Sequence, residues 1–536
     1  MHFLRKGFFP RIKRYFPAFL IAGFLVSCNS AHRKTSVSVE SLQGVEPRNV
    51  IFILSDDHRY DYMGFTGKLS WLETPAMDRM AGEGAYFPNA FVTTSLCSPS
   101  RASILTGQFS HTHKVVDNQA PAPKENIYFP QYLQTKGYQT AFLGKWHMGG
   151  ETDEPRPGFD HWESFRGQGV YYNPTLNING EHKTYGDSTY ITDLLTEHAI
   201  EWLENRDEEK PFFMYLSHKA VHGLYEPAQR HLGKYENVEL ELPPSFYTSA
   251  RPVKGKDHPN GYHQYLGPDK DKIEHPAPGD SYYGEGRTPD WQKMQRESWH
   301  GVDYMYHAQH VNYETLVKRY CEQILSLDES IGSVLDYLDA KGLGESTVVI
   351  YMGDNGFAFG EHGLIDKRHF YEESAKVPFL MRCPEIVKEK LVNTRMIQNI
   401  DVAPTILELA GIKKPEQMQG RSFLPLLTEE NPEWRDKIFY EYYWENNFPQ
   451  TPTMHGVRTD RYKYIRYHGI WDTNEFYDLK EDPFEMNNLI ASPQHQPIIK
   501  ELSDEIYSWL ESTGGMQIPL KRTTIRLGDH RNNGLY

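Results

Sequence analysis

The chain has 536 residues, enough for one large domain with a smaller one beside it, and its 39% hydrophobic and 24% charged residues are ordinary for a soluble globular protein. Lys and Arg total 57 against 72 Asp and Glu, a net charge of −15, which argues against nucleic acid as a partner and requires that any positive charge for an anionic substrate be gathered locally. Four cysteines, Cys28, Cys97, Cys321 and Cys383, are too few for a disulfide framework, so each is read alone.

At the N-terminus, Arg5, Lys6, Arg11, Lys13 and Arg14 form a basic region, followed by a short apolar run over residues 16–27. That run is far below the ~20 residues a membrane-spanning helix needs, so residues 1–27 read as a signal peptide. It ends Leu25-Val26-Ser27-Cys28, which resembles the lipobox of bacterial lipoproteins. The resemblance implies cleavage, lipidation of Cys28, and export to a bacterial membrane, the outer membrane on its periplasmic or surface face. The competing reading is an ordinary signal peptide with an incidental Cys. Residues 28–47 are polar, lack periodicity and read as a tether.

Residues 49–54 (NVIFIL) are a continuous apolar run, the mark of a buried strand, and 140–143, 212–216 and 347–352 read alike. Helical stretches lie between them. Thr74-Pro75 reads as an N-cap and first helical position, with the helix stopping near Gly82 to Gly84. Residues 189–205 and the long stretch 316–338 carry apolar residues at helical spacing. The alternation predicts an α/β domain with a mostly parallel sheet over residues 48–430. Residues 230–310 are rich in Tyr, His, Pro, Asp and Lys with little periodicity, and read as ordered substrate-rim loops. Tyr262, Tyr265, Tyr282, Tyr283, Trp291 and Trp299 offer faces for sugar rings, about half of them expected to pack the loop itself. Lys254, Lys256, Lys270, Lys272, Arg287, His300 and His307 are candidates to meet neighbouring anionic groups. Strands at 438–444, 456–467 and 475–479 and a helix at 496–512 predict a small antiparallel sheet with a packed helix over residues 431–536.

The sharpest local signal is Cys97-Ser98-Pro99-Ser100-Arg101, followed by Ala102-Ser103-Ile104-Leu105-Thr106-Gly107. Ser98 is suited to cap and Pro99 to open a helix that Gly107 closes, which puts Cys97 at a helix N-terminus, where anions are favoured. On these grounds alone Cys97 is either a low-pKa thiolate or a buried, inert thiol. Polar clusters follow each predicted strand: Ser55-Asp56-Asp57, Gly144-Lys145-Trp146-His147, His218 with His222, and Gly353-Asp354-Asn355-Gly356. Ligands bind outside the carboxyl ends of strands in open α/β sheets, so the four clusters are expected to converge on one crevice. Asp56, Asp57, Asp354 and Asn355 offer the hard oxygens that calcium prefers and magnesium also accepts, and no thiolate or clustered His set suggests zinc.

The Cys97 element resembles the signature of the formylglycine-dependent sulfatases, Cys-x-Pro-x-Arg with a downstream Thr-Gly. The resemblance covers residues 48–490 and includes Ser326-Leu327-Asp328-Glu329-Ser330-Ile331-Gly332, Asn399-Ile400-Asp401-Val402-Ala403-Pro404-Thr405, and Tyr477-Asp478-Leu479 with Asp482-Pro483 and Glu485. It implies an alkaline-phosphatase-like fold, one calcium ion, and oxidation of Cys97 to formylglycine by a formylglycine-generating or anaerobic sulfatase-maturating enzyme. It carries Arg101 over as part of the signature. It carries Asp56, Asp57, Asp354 and Asn355 over as metal ligands, with the modified Cys97 completing the shell. Lys145 and His147 match the Lys-x-His that holds and deprotonates the hydrated aldehyde. His222 matches a sulfate-contacting His that is a candidate to protonate the leaving oxygen. Here the usual Ala-Pro-His reads Ala220-Val221-His222. Lys367 matches a second sulfate-binding Lys, and His218 reads as structural or as a support behind the site residues. Gly360-Glu361-His362-Gly363, Asp366-Lys367-Arg368 and Tyr371-Glu372-Glu373 look like polysaccharide-directed branches, glucosamine-6-sulfatases among them. The expected substrate is therefore a sulfated carbohydrate. The rival readings are a phosphodiesterase or phosphonate monoester hydrolase of the same superfamily, and a non-catalytic glycan-binding surface lipoprotein.

Overall fold

In the computed structural model, the described residues are 37–149, 152–246, 289–296, 301, 313–468 and 472–519. Among them the main sheet has ten strands. These are β1 (Val50–Ser55), β2 (Ala85–Tyr86), β3 (Gln139–Gly144), β4 (His161–Ser164), β5 (Thr175–Ile178), β6 (Glu181–Thr184), β7 (Phe212–Ser217), β8 (Val348–Gly353), β9 (Phe379–Arg382) and β10 (Leu391–Val392), in the order β10-β2-β9-β8-β1-β7-β3-β4-β5-β6. The middle run β8-β1-β7-β3-β4 is parallel, while β9 joins β8, and β5 joins β4, antiparallel.

The reason β1 reads as an unbroken apolar run is that both its faces are covered. Ile51 and Ile53 pack with Leu194, Leu195, Ile324 and Leu327, from helices α3 (Ile191–Glu204) and α4 (Tyr313–Ala340). Val50, Phe52 and Leu54 face the other way, onto Ala102, Ile104 and Leu105 of α2 (Cys97–Thr106) and onto Ile406 and Leu407. Each such side chain contributes roughly 1.5–3 kcal/mol through burial, which fixes the strand between its two helical layers. The four expected strands lie where the sequence puts them, to within a residue or two. The short outer strands β4 to β6 have no apolar run and went unread.

Helix α1 (Pro75–Glu83) begins as expected but is capped otherwise. Thr74 makes no capping bond. Instead the Asp328 carboxylate, from α4, accepts from the backbone N–H of Ala76 and Met77 at 3.0 and 2.8 Å. Part of the expected tether is docked: Ser41 bridges Ile412, and Val37 and Val39 pack on the core. Alternating valines, rather than the polar residues between them, decide that placement.

The second sheet is antiparallel, β11 (Lys437–Tyr442), β12 (Met454–Thr459), β13 (Tyr462–Tyr467) and β14 (Glu475–Asp478), with α5 (Gln496–Thr513) packed on it. The single run expected over 456–467 is a hairpin broken at Asp460 and Arg461. Buried Lys463 clasps this sheet to the larger domain, pairing with Glu372 at 2.8 Å and Glu485 at 2.7 Å. Trp291, expected on a substrate rim, is fully buried beside Tyr371 and Tyr467. The other rim residues, from Lys254 to Arg287 and at Trp299, His300 and His307, lie outside the described residues, as does Cys28. Among the described residues no helix is long and apolar enough to cross a membrane.

Candidate active site

Four adjacent parallel strands deliver the polar clusters to one end of the sheet. Asp56 and Asp57 follow β1, Lys145 to His147 follow β3, His218 to His222 follow β7, and Asp354 and Asn355 follow β8. The chain turns tightly there. At Gly144 φ is +116°, and a Cβ would sit 1.8 Å from the Ser217 carbonyl oxygen, so only glycine fits before Lys145. Asp57, His147, Asp366 and Arg368 hold φ of 61°, 57°, 88° and 82° without being glycine. Such strained backbone persists only where surrounding contacts enforce it, and here it rings one crevice.

Helix α2 is buried along its whole length and closed by Gly107 in the left-handed region, φ +66°. It starts two residues earlier than the sequence suggested. Cys97 is its first residue, and Ser98 does not cap it. The Ser98 hydroxyl donates to the His147 carbonyl at 2.5 Å, and its N–H donates to Asn118 Oδ1 at 3.0 Å. Cys97 Sγ lies 3.4 Å from Asp56 Oδ1 and accepts from Lys367 Nζ at 3.2 Å. Burial, reinforced by Asp56, pushes the Cys97 thiol up, which favours the buried-thiol reading over the low-pKa thiolate. Arg101, one turn on, donates through Nε to Asp354 Oδ2 at 2.9 Å and through its NH1 nitrogen to the Lys145 carbonyl and Ser217 Oγ, both at 2.7 Å.

Three cations face three carboxylates. Lys145 pairs with Asp56, Lys367 with Asp57, and Arg101 with Asp354 at 2.8 Å. Burial works to raise Asp56, but Lys145, Arg101 and Lys367 outweigh it and hold it well below the usual carboxylate range. Burial opposes the charge on Lys367, and Asp57 and Cys97 overcome it and hold it charged. Burial and neighbouring Asp56 push Asp354 up to about 7. His222 Nε2 lies 3.7 Å from Asp57 Oδ2, and burial with nearby Lys145 keeps this imidazole neutral. His147 Nδ1 lies 3.5 Å from Ser98 Oγ, and burial and Lys145 likewise push its pKa well down.

The donor set fits a hard divalent cation. Carboxylate oxygens of Asp56, Asp57 and Asp354 lie within 4.8 Å of one another, all three residues being buried. Asn355 donates through Nδ2 to Asp57 Oδ1 at 2.7 Å, which leaves its buried Oδ1 without a hydrogen-bond partner among the described residues. An orphaned amide oxygen beside three carboxylates is the chemistry that calcium or magnesium satisfies.

The structure adds residues that sequence reading missed. Gln168 Oε1 accepts from Lys145 at 2.5 Å, and buried Lys219 lies on the turn before His222. Arg368 donates to Glu445 at 2.8 Å, bringing the second sheet's edge beside the site, where neighbouring Trp444 is 49% exposed. Gln168, Lys219, Trp444 and Glu445 are lone polar or aromatic residues without a motif, and only the nearness of Lys219 to His222 in sequence pointed to any of them, whereas Arg368 belongs to the Asp366-Lys367-Arg368 stretch already singled out. His218 is structural, as expected: its Nε2 meets Ser330 Oγ at 3.0 Å.

Comparison with known proteins is consistent with this geometry. The sulfatase family model matches residues 48–412, and a model described as the C-terminal part of N-sulphoglucosamine sulphohydrolase matches residues 360–512. An N-acetylglucosamine-6-O-sulfatase from Bacteroides thetaiotaomicron is 34% identical over 514 residues, covering 90% of each chain. A multifunctional alkaline phosphatase superfamily protein, PehA of Trinickia caryophylli, is 26% identical, covering 86% of this chain and 95% of its own. A solved structure described as a complex with its substrate, D-glucosamine-2-N,6-O-disulfate, superposes with a TM-score of 0.73 at 32% identity, covering 89% of this chain and all of its own.

Proposed function

The chain belongs to the sulfatase family and is a sulfuric ester hydrolase, and from that footing we propose that it removes the 6-O-sulfate of a glucosamine unit in a sulfated carbohydrate. The observation that carries the chemistry is Cys97 Sγ held between Asp56 Oδ1 and Lys367 Nζ at the mouth of a buried carboxylate cluster. The sugar reading draws support from the 34% identical relative and from the glucosamine disulfate described in the similar structure.

In this reading Cys97 is the residue converted to formylglycine, which supplies a hydrated aldehyde as nucleophile. Asp56, Asp57, Asp354 and Asn355 would hold calcium, which would supply positive charge against the sulfate. The chain's own side chains do the rest. Arg101 fixes the Asp354 carboxylate and, through Ser217, the turn bearing Lys145. Lys145, oriented by Asp56 and Gln168, and Lys367, beside position 97, gather positive charge around the reacting sulfate. The neutral imidazole of His147 is available to accept a proton from the attacking hydroxyl, and His222, once protonated, is the candidate to deliver a proton to the leaving oxygen.

Sulfate release from N-acetylglucosamine 6-sulfate, its 3-sulfated isomer, an aryl sulfate and an aryl phosphate diester tests the assignment. A kcat/KM at least about a hundredfold higher on the 6-sulfate than on the others is expected, because recognition of sugar hydroxyls by fixed polar groups discriminates strongly. Equal efficiency on the two sugar isomers removes the positional claim, and preference for the phosphate diester removes the sulfatase-specific reading of the site.

We further propose that the mature chain begins at a lipidated Cys28 and acts outside the cytoplasm. The motivation is Leu25-Val26-Ser27-Cys28 at the end of the apolar run. Cys28→Ala is expected to move the protein from the membrane to the soluble fraction with kcat/KM unchanged. A native protein that fractionates as soluble with an unmodified N-terminus overturns the anchor.

A further inference from the structure

The three cations paired with carboxylates leave a fourth. Lys219 sits directly after β7 in the turn Ser217-His218-Lys219-Ala220-Val221-His222 and is 3% exposed. Its recorded polar contact among the described residues is the Gly223 carbonyl at 3.5 Å, at the edge of hydrogen-bond range. Its ammonium stands 4.6 Å over the Tyr171 ring, and the Tyr171 hydroxyl is tied to the His222 carbonyl at 2.5 Å, so the ring floors this turn. Asp56, Asp57, Lys145 and Glu226 lie within electrostatic reach, yet none is in contact with it. Burial and the Lys145 charge pull its pKa down to about 7.

A buried ammonium with one marginal acceptor is costly, and a cation–π contact offsets only part of that cost. Isosteric packing would be served by Met or Leu at this position without the penalty. The arrangement makes sense if a ligand completes it. The ligand must be anionic and must reach the crevice shared with His222 and Lys145, which describes the sulfate group itself.

We propose that Lys219 is a further sulfate-binding cation, donating to a non-bridging oxygen of the ester from the β7 side of the crevice. The proposal rests on the sulfatase reading. It adds a cation to Lys145 and Lys367, beside the neutral His222, and it explains why this turn carries Lys rather than an apolar residue. In the free enzyme Tyr171 holds the ammonium in place, and the arriving sulfate supplies the counter-charge that no carboxylate does. Lys219 takes no part in bond making or breaking.

Lys219→Met, Lys219→Gln and Lys219→Arg are compared with the parent enzyme, each matured to the same extent at position 97 and checked for metal content and thermal midpoint. The probes are inorganic sulfate as a competitive inhibitor and 4-nitrophenyl sulfate as substrate, neither of which depends on the sugar. For Met and Gln the inhibition constant of sulfate and the KM are expected to rise roughly tenfold to a hundredfold, the loss of one charge-assisted hydrogen bond. Arg restores most of both. A folded, metal-loaded Met or Gln variant whose sulfate inhibition constant stays within twofold of the parent overturns the proposal, as does a fall in kcat alone. If Met fails to fold, Gln, which keeps a donor for Gly223, decides. Failure of the parent enzyme on sugar 6-sulfates touches the substrate assignment and leaves this measurement intact.

Discussion

Cys97→Ala is expected to abolish sulfate release, with kcat falling at least about 10⁴-fold, the scale seen when a covalent nucleophile is removed. The fold should survive. Cys97 is buried at the first position of α2, whose closure depends on Gly107 and whose packing depends on Ala102, Ile104 and Leu105. Removing one sulfur there creates a small gap and frees Lys367, which keeps Asp57 as its partner. The thermal midpoint should therefore move by a few degrees at most while activity vanishes. Cys97→Ser separates two mechanisms. If the unmodified thiol were the nucleophile, serine would retain weak activity in a host lacking any maturation enzyme. If formylglycine is required, activity follows conversion of residue 97 as read by peptide mass. Full activity in protein carrying only unmodified Cys97 would falsify the formylglycine assignment.

The second large effect is at Asp354. Its Oδ2 accepts from Arg101 Nε at 2.9 Å and lies 2.8 Å from a second guanidinium nitrogen as an ion pair, and its Oδ1 accepts the Asp57 N–H at 3.0 Å. Asp354→Ala removes an anionic ligand from a compact oxygen cluster and strands a buried guanidinium whose remaining carboxylate, Asp56, is 3.7 Å away. Loss of bound metal and of activity by at least about 10³-fold is expected, with a stability cost of about 3–5 kcal/mol from breaking a buried pair on one side. Asp354→Asn keeps the shape and much of the hydrogen bonding. It should recover most of the stability while metal affinity stays impaired. Elemental analysis of both purified variants, beside their melting curves, tests the point. Metal content equal to the parent's in both would show that the ligand set lies elsewhere.

The parts of this molecule that were legible in the sequence share one property: the information is contiguous. Residues 49–54 announce a doubly covered strand because both faces of β1 are apolar in the structure. The Cys97 to Gly107 stretch announces a helix with Cys97 at its N-terminal end because Pro, Arg and the closing Gly all sit within it. The rule that ligands gather at strand carboxyl ends places Asp56, Lys145, His222 and Asp354 together from the sequence alone. Other motifs of the family resemblance turned out to hold the architecture. Asp328 caps α1, Asp401 grips Arg435 with two bonds of 2.6 and 2.7 Å, and Asp478 pairs with Arg461 at 2.7 Å.

What the sequence by itself determined, then, was the α/β plan, and it also named the candidate reacting residue and the candidate oxygen donors, all carried by local periodicity and short motifs. Only the tertiary structure decided how charge is distributed among them. Lys145, Lys367 and Arg101 each meet a carboxylate from a different segment, and Lys219 meets none in contact. It also decided that Trp291 packs inside, that Ser98 serves His147 rather than the helix end, and that the second sheet brings Glu445 to Arg368. Burial and pairing are properties of what surrounds a side chain. They arise from residues tens to hundreds of positions away, and no local pattern encodes them.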